Sequence, residues 1–336
     1  MTEIVEPIIR DQRIGLRLQT ARLHAELLSR KTDAAIDLAS AEHLVSAIRG
    51  WQKKGYVIED ACVLALFQYA ATDPSDGTAD PMKAPGLHWI TKSIYFPQLI
   101  DHSAAPRASQ AFAKMSNPEP GIYPIVDRLD QLEMMLKAGA KILQLRIKSD
   151  TLTPKIRSQI REAVVLSRHF PACQLFINDH WQAAIEDGAY GVHLGQEDLL
   201  IADLNAIQKA GLRLGVSTHA FWEVARSLSI RPSYVACGPL FPTRAKAMPW
   251  IAQGIDNLRY WVRLIPYPVI GIGGVSAQNL EAIRATGCAS ASVIQAIMGA
   301  DSPIHAFQEL QRQWDRALDS QQEPADLARP TLAPSA

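Results

Sequence analysis

The chain carries no net charge: 34 Lys and Arg offset 34 Asp and Glu over 336 residues. No basic run breaks that balance, which argues against a dedicated nucleic-acid binder. Cysteine is scarce. Cys62, Cys173, Cys237 and Cys288 stand far apart with no CxxC pair, so neither a zinc ribbon nor a dithiol redox motif is supported. They read as buried thiols of a reducing compartment. No apolar run reaches the ~18 residues that a membrane span needs, and the acidic start MTEIVEPIIRDQR has no apolar signal core. HExxH and GxSxG are also missing, which removes the usual signatures of zinc hydrolysis and serine catalysis. These absences predict a soluble, cytoplasmic globular protein that needs neither membrane nor nucleic acid, and they leave a homo-oligomer open.

Composition divides the chain into four. Residues 1–103 show helical periodicity, as between Ala41 and Ala70, and are expected to form a mainly helical N-terminal region. Residues 104–120, AAPRASQAFAKMSNPEP, are rich in Ala, Ser and Pro and read as a linker. Residues 121–315 alternate short apolar runs with amphipathic stretches. Residues 316–336 are polar and Pro-rich, and a disordered tail is expected.

The third segment fixes the fold class. Its apolar runs are Ile122–Val126, Ile142–Ile147, Gln174–Ile177, Gly191–Leu194, Leu212–Val216, Tyr234–Cys237, Val269–Ile272 and Ala291–Ile294. Helical spacing lies between them, as in Ile156, Ile160 and Val164. Buried strands alternating with helices indicate a parallel sheet. Eight such units match an α/β (β/α)8 TIM barrel better than an open doubly wound sheet. A barrel places chemistry at the C-terminal ends of its strands. The polar and glycine-rich clusters fall there: Gln144, Arg146 and Lys148; Asn178-Asp179; Gly195 to Asp198; Ser217 to His219; Thr243 to Lys246; Gly273-Gly274; Ile294-Gln295.

Gln144, Arg146 and Lys148 alternate, so a strand turns all three side chains to one face. Arg and Lys pointing into a barrel mouth are costly unless they meet anions. A phosphate or diphosphate substrate supplies them, with an internal salt-bridge layer as the alternative. Asp179 and Asp198 end adjacent strands. Beside an anion site they read as a divalent-cation pair, Mg2+ above all, or else as helix caps. Gly273-Gly274 ahead of a helix lets backbone N–H groups approach a phosphate. His180, His193 and His219 show no metal-ligand spacing and read as scaffold histidines.

Residues 121–300 closely resemble the thiamine-phosphate synthase family. The matching blocks are GIYPIVD (121–127), LQLRIK (143–148), LFINDHW (175–181), YGVHLGQEDL (190–199), LRLGVSTH (212–219), GPLFPTRAK (238–246) and GIGGVS (271–276). The resemblance implies coupling of 4-amino-5-hydroxymethyl-2-methylpyrimidine diphosphate to a thiazole phosphate, releasing pyrophosphate by a dissociative route. It implies that Gln144, Arg146, Lys148, Asn178, Ser217 and Lys246 hold the pyrimidine diphosphate, with Arg146, Lys148, Ser217 and Lys246 serving catalysis. It implies Mg2+ on Asp179 and Asp198, and thiazole phosphate on Thr243, Arg244, Ala245, Gly274, Ile294 and Gln295.

Two positions depart from the family pattern. Ala245 replaces a second Thr of a PT-x-TK run, and Gln295 replaces the Ser of a V-S-A-I run. A lost charge-assisted bond typically costs about 1.5–3 kcal/mol. A thiazole tautomerase or a non-enzymatic thiazole-phosphate binder is therefore the alternative. Residues 43–70 faintly resemble the C-terminal helices of hydroxymethylpyrimidine phosphate kinase. The kinase's Gly-rich anion loop is absent, since Asp37-Leu38-Ala39-Ser40 stands in its place. A non-catalytic remnant is expected, or a helical appendage used for packing or assembly.

Overall fold

The computed structural model describes residues 3–30, 38–71, 90–103, 110–149, 151–243, 249–317 and 326–332. The N-terminal part corrects the expectation of a mainly helical region. Four strands, β1 (Ile4–Arg10), β2 (Arg13–Gln19), β3 (His24–Leu28) and β4 (Gln98–Asp101), form an antiparallel sheet in that order. In β2 the alternation of Ile14, Leu16 and Leu18 buries one face and leaves Arg17 and Gln19 outside. A two-residue loop joins β1 to β2, with Asp11 and Gln12 at φ 52° and 57°. Both central residues of such a tight hairpin need positive φ, which Asn and Gly usually supply. Their absence hid the hairpin. Two helices follow β3: α1 (Leu38–Lys53) and α2 (Ile58–Ala71). Helix α2 is buried almost throughout.

The barrel appears as the apolar runs predicted. Its strands are β5 (Gly121–Val126), β6 (Ile142–Leu145), β7 (Gln174–Asn178), β8 (Gly191–Leu194), β9 (Arg213–Thr218), β10 (Tyr234–Cys237), β11 (Val269–Ile272) and β12 (Ser290–Val293). All neighbours pair in parallel, and β12 closes on β5. Between and after the strands lie α3 (Leu129–Lys137), α4 (Pro154–Ser167), α5 (Trp181–Asp187), α6 (Asp198–Ile201), α7 (Leu204–Lys209), α8 (Phe221–Ile230), α9 (Gly254–Leu264), α10 (Leu280–Arg284), α11 (Gln295–Met298) and α12 (Pro303–Arg316). Among the described residues, no helix is long and apolar enough to cross a membrane.

Tyr123, Ile142, Phe176, Tyr234, Ala236 and Ile270 fill the barrel interior. A Cβ at Gly215 would collide with the Tyr234 ring, so the small residue makes room for the large one. Met115 completes this layer, although it belongs to the expected linker. That assignment needs correction. The Phe112 N–H donates to the Arg231 carbonyl at 3.0 Å, and the Ser116 N–H to the Tyr190 hydroxyl at 2.8 Å. Residues 110–120 thus plug the N-terminal end of the barrel; 104–109 lie outside the described residues.

The tail is corrected in the same way. Its residues 326–332 are docked: Ala328 and Thr331 are buried. The Asn257 side-chain amide exchanges two hydrogen bonds with the Arg329 backbone, at 3.0 and 2.9 Å. The Tyr56 hydroxyl donates to the Ala328 carbonyl at 2.7 Å. The tail therefore joins the N-terminal module to α9.

The module and the barrel share one apolar core. Their main contact is α8. An Asp60 carboxylate oxygen accepts the Trp222 N–H at 3.1 Å, in the first turn of α8. The Leu99 N–H donates to the Ser229 hydroxyl at 3.1 Å. Arg226 and Asp101 form an ion pair at 2.7 Å with both side chains 5% exposed. Burial pushes the Asp60 carboxyl up to about 8, with Glu59 and Glu223 adding repulsion against the backbone N–H groups that favour its charge.

Candidate active site

The strand ends gather the predicted polar residues at the C-terminal mouth of the barrel. Gln144 is buried inside, and Arg146, two residues on, is half-buried. The Arg146 charge acts on both Asp179 and His193, so β6, β7 and β8 converge on one spot. Lys148 is exposed at the rim. Asn178 ends β7 and hydrogen-bonds the Asp179 carboxyl.

Asp179 follows in a left-handed conformation, φ 59°, which is uncommon for a residue with a Cβ. Its carboxyl meets that of Asp198. Burial, and after it the Asp198 charge, raise the Asp179 carboxyl well above the usual carboxylate range. The helix-cap alternative fails for Asp179: the N-cap of α5 is His180, which uses no side chain. It holds for Asp198, which accepts the Gly195 N–H at 3.1 Å while the Gly195 carbonyl accepts the Leu199 N–H at 3.2 Å, so this carboxylate closes the first turn ahead of α6 as well as facing Asp179. Two carboxylates pressed together within reach of the Arg146 charge fit a divalent cation. Mg2+ commonly takes one or two carboxylates and completes its shell with phosphate oxygens and water. Among the described residues, no group of three or more His, Cys, Asp or Glu side chains could hold a metal.

A hydrogen-bond chain crosses the barrel beneath this mouth. Gln144 Nε2 donates to the Tyr123 hydroxyl at 3.3 Å, and the Tyr123 and Tyr234 hydroxyls lie 3.0 Å apart. Tyr234 Oη lies 2.7 Å from His193 Nδ1, and His193 Nε2 lies 2.8 Å from Ser217 Oγ. The proton order follows from satisfying each buried group. Tyr123 accepts from Gln144 and donates to Tyr234. Tyr234 then donates to Nδ1, so the His193 proton sits on Nε2 and faces Ser217. The Ser217 hydroxyl keeps its own proton for a ligand. Burial, and secondarily Arg146, lower the His193 pKa to about 3, which keeps the ring neutral as this order requires.

The opposite side of the mouth is built by the loops after β10 and β11. The Phe241 N–H donates to the Gly273 carbonyl at 3.0 Å. Gly274 has φ 69°, and a Cβ there would stand 2.7 Å from Phe241 Cβ. Only glycine lets these loops touch, and the contact sets Gly274 beside the segment carrying Thr243. Asn279 pins the turn, donating to the Gly274 carbonyl and accepting the Ser276 N–H, both at 2.9 Å. Ile294 and Gln295 follow β12, the next strand round, with Gln295 exposed at the start of α11. Arg244, Ala245 and Lys246 lie outside the described residues.

The histidines divide. His219 stacks on Trp250, with ring centroids 4.9 Å apart, and bonds Glu223 at 2.8 Å; it is scaffold. His193 is scaffold too, yet it orients Ser217, a role the sequence reading missed together with Tyr123 and Tyr234. One signal was available. A tyrosine inside a barrel strand must satisfy its hydroxyl, and two of them imply a buried network. His180 keeps a buried Nε2 without a hydrogen-bond partner among the described residues.

Known proteins resemble the barrel part of the chain. The family described as thiamine monophosphate synthase matches residues 122–297. The chain is 50% identical over 178 residues to a thiamine-phosphate synthase of Photorhabdus laumondii, covering 53% of this chain and 82% of that protein. It is 48% identical over 193 residues to a thiamine-phosphate synthase of an Enterobacter species, covering 57% and 90%. Among solved structures, a thiamine phosphate pyrophosphorylase from Pyrococcus furiosus is similar, with a TM-score of 0.53 and 26% identity over 60% of this chain and 98% of that one.

Proposed function

The chain belongs to the thiamine monophosphate synthase family, and from that premise we infer that it joins 4-amino-5-hydroxymethyl-2-methylpyrimidine diphosphate to a thiazole phosphate, giving thiamine phosphate and pyrophosphate. The observation that carries the reading is the convergence of Arg146 on the Asp179–Asp198 pair at the barrel mouth. A protein that handled only a thiazole phosphate would have no use for that cluster, which weighs for the synthase over the tautomerase or the simple binder.

In this reading Gln144, Asn178 and Ser217 hold the pyrimidine diphosphate by hydrogen bonds. Arg146 and Lys148 would meet its phosphates with positive charge, and the family resemblance adds Lys246 to them. The C–O bond to the diphosphate breaks first, and pyrophosphate leaves with the electron pair. The aminopyrimidine ring spreads the cation left on the methylene carbon, and the thiazole nitrogen then closes the C–N bond. Fixed cations lower this barrier because they act where charge develops. Asp179 and Asp198 would hold Mg2+, which when bound neutralises the departing phosphate oxygens. The loops of Thr243, Arg244, Ala245, Gly274, Ile294 and Gln295 would seat the thiazole phosphate. The four cysteines are buried free thiols, in keeping with a reducing, cytoplasmic setting.

The test is direct. Incubation with both substrates and Mg2+ should give thiamine phosphate and pyrophosphate in equal amounts. No product at saturating substrate would sink the reading.

A further inference from the structure

Ser217 is held from two sides. His193 fixes its hydroxyl from within the barrel, at 2.8 Å. Its backbone carbonyl is fixed from outside. Gln196 Nε2 donates to that carbonyl at 2.7 Å, and Gln196 Oε1 accepts from Arg226 Nη1 at 3.0 Å. Arg226 Nε lies 2.7 Å from an Asp101 carboxylate oxygen. That last contact is an ion pair by distance rather than an aligned hydrogen bond. The line therefore starts on β4 of the N-terminal module, crosses α8 and ends on the strand that presents Ser217 to the site.

The polarity of the line is forced. A guanidinium only donates, so it fixes which end of the Gln196 amide faces it. Oε1 turns to Arg226, and Nε2 is left to the Ser217 carbonyl. A buried guanidinium in turn needs a buried counter-charge. Among the described residues Asp101 is the carboxylate paired with it. The Arg226 guanidinium also lies over the Trp222 ring, 5.0 Å from its centroid, which limits its freedom to turn away.

We propose that Asp101 and Arg226 are positioning residues for the coupling reaction, through which the N-terminal module holds Ser217 in place by way of Gln196. This rests on the reading of Ser217 as a pyrimidine diphosphate ligand. The module is then part of the synthase site, although the matched family residues, 122–297, exclude it.

The experiment uses the full-length protein, both substrates and Mg2+, with melting temperature followed beside kcat and KM. Asp101→Asn should lower kcat/KM for the pyrimidine diphosphate about tenfold and leave KM for the thiazole phosphate unchanged. Asp101→Glu, which keeps the charge, should regain part of the loss. The double variant Asp101→Leu/Arg226→Met replaces the buried pair with apolar side chains. It should regain melting temperature but not kcat/KM, because Gln196 has lost the donor that orients it. Ser217→Ala serves as reference. If it leaves kcat/KM unchanged, the assignment of Ser217 falls and the proposal falls with it. If Ser217→Ala is impaired while a folded Asp101→Asn matches the wild type, the positioning line alone is overturned. Recovery of melting temperature and kcat/KM together in the double variant also overturns it, because the pair is then purely structural.

Discussion

Helices α4 and α8 occupy equivalent places on the barrel and have different surroundings. Helix α4 buries Ile156, Ile160, Ala163 and Val164 and turns its other side outward, as a helix on the rim of a barrel should. Helix α8 buries eight of its ten residues, including Glu223 and Arg226. Its second face is covered by β4 and α2 of the N-terminal module. A helix buried on both sides belongs to two packed layers. The module is therefore a second layer of the enzyme and not an appendage on a linker.

Removing the module should give the largest effect. A chain beginning at Gln110 keeps the barrel and its plug but bares the outer face of α8 and leaves Arg226 without Asp101. It should be insoluble or melt far below the full chain, as sedimentation and thermal denaturation would reveal. A soluble, fully active barrel would erase the difference between α4 and α8. Within the barrel, Asp179→Ala should lower turnover roughly 10³-fold and leave the melting temperature near that of the wild type. That outcome would separate barrel chemistry from module support.

Smaller effects sharpen the helix comparison. Ala225→Asp on α8 should cost about 3 kcal/mol or more, since it buries an unpaired charge. Val165→Glu on the exposed side of α4 should stay within about 0.5 kcal/mol. Denaturant titration of the pair measures the contrast, and equal costs would refute the two-layer reading of α8. A separate effect is a slope with pH. The raised pKa of Asp60 means that the fold favours the protonated carboxyl. Its stabilisation is complete below the ordinary carboxylate range and is lost as pH rises through about 8. Asp60→Asn keeps an oxygen for the Trp222 N–H and cannot ionise. Its melting temperature should fall less than the wild type's between pH 5 and pH 9.

Why the barrel was legible and the module was not follows from particular residues. The eight strands are short continuous apolar runs, because both faces of a barrel strand are buried. Pattern and element coincide there, to within a residue or two. The site clusters were legible because a barrel puts chemistry in one known place. In the N-terminal module, the period-two pattern of Ile14, Leu16 and Leu18 was present but short. The Asp11-Gln12 turn lacked the expected glycine, and β4 pairs with β3 across more than sixty intervening residues. Composition likewise marked residues 110–120 and 326–332 as linker and tail. Phe112, Met115 and Ala328 are buried there by contacts that no local pattern records.

By itself, the sequence determined the barrel, the order of its strands and the residues offered at their ends, because burial period and strand-end chemistry are local along the chain. The tertiary structure alone decided how those residues are held. Tyr123, Tyr234 and His193 come from three strands to set the proton of Ser217. Asp101 meets Arg226 across the module boundary to set its backbone. Such alignments depend on which groups lose water together, and that is settled only when distant segments pack.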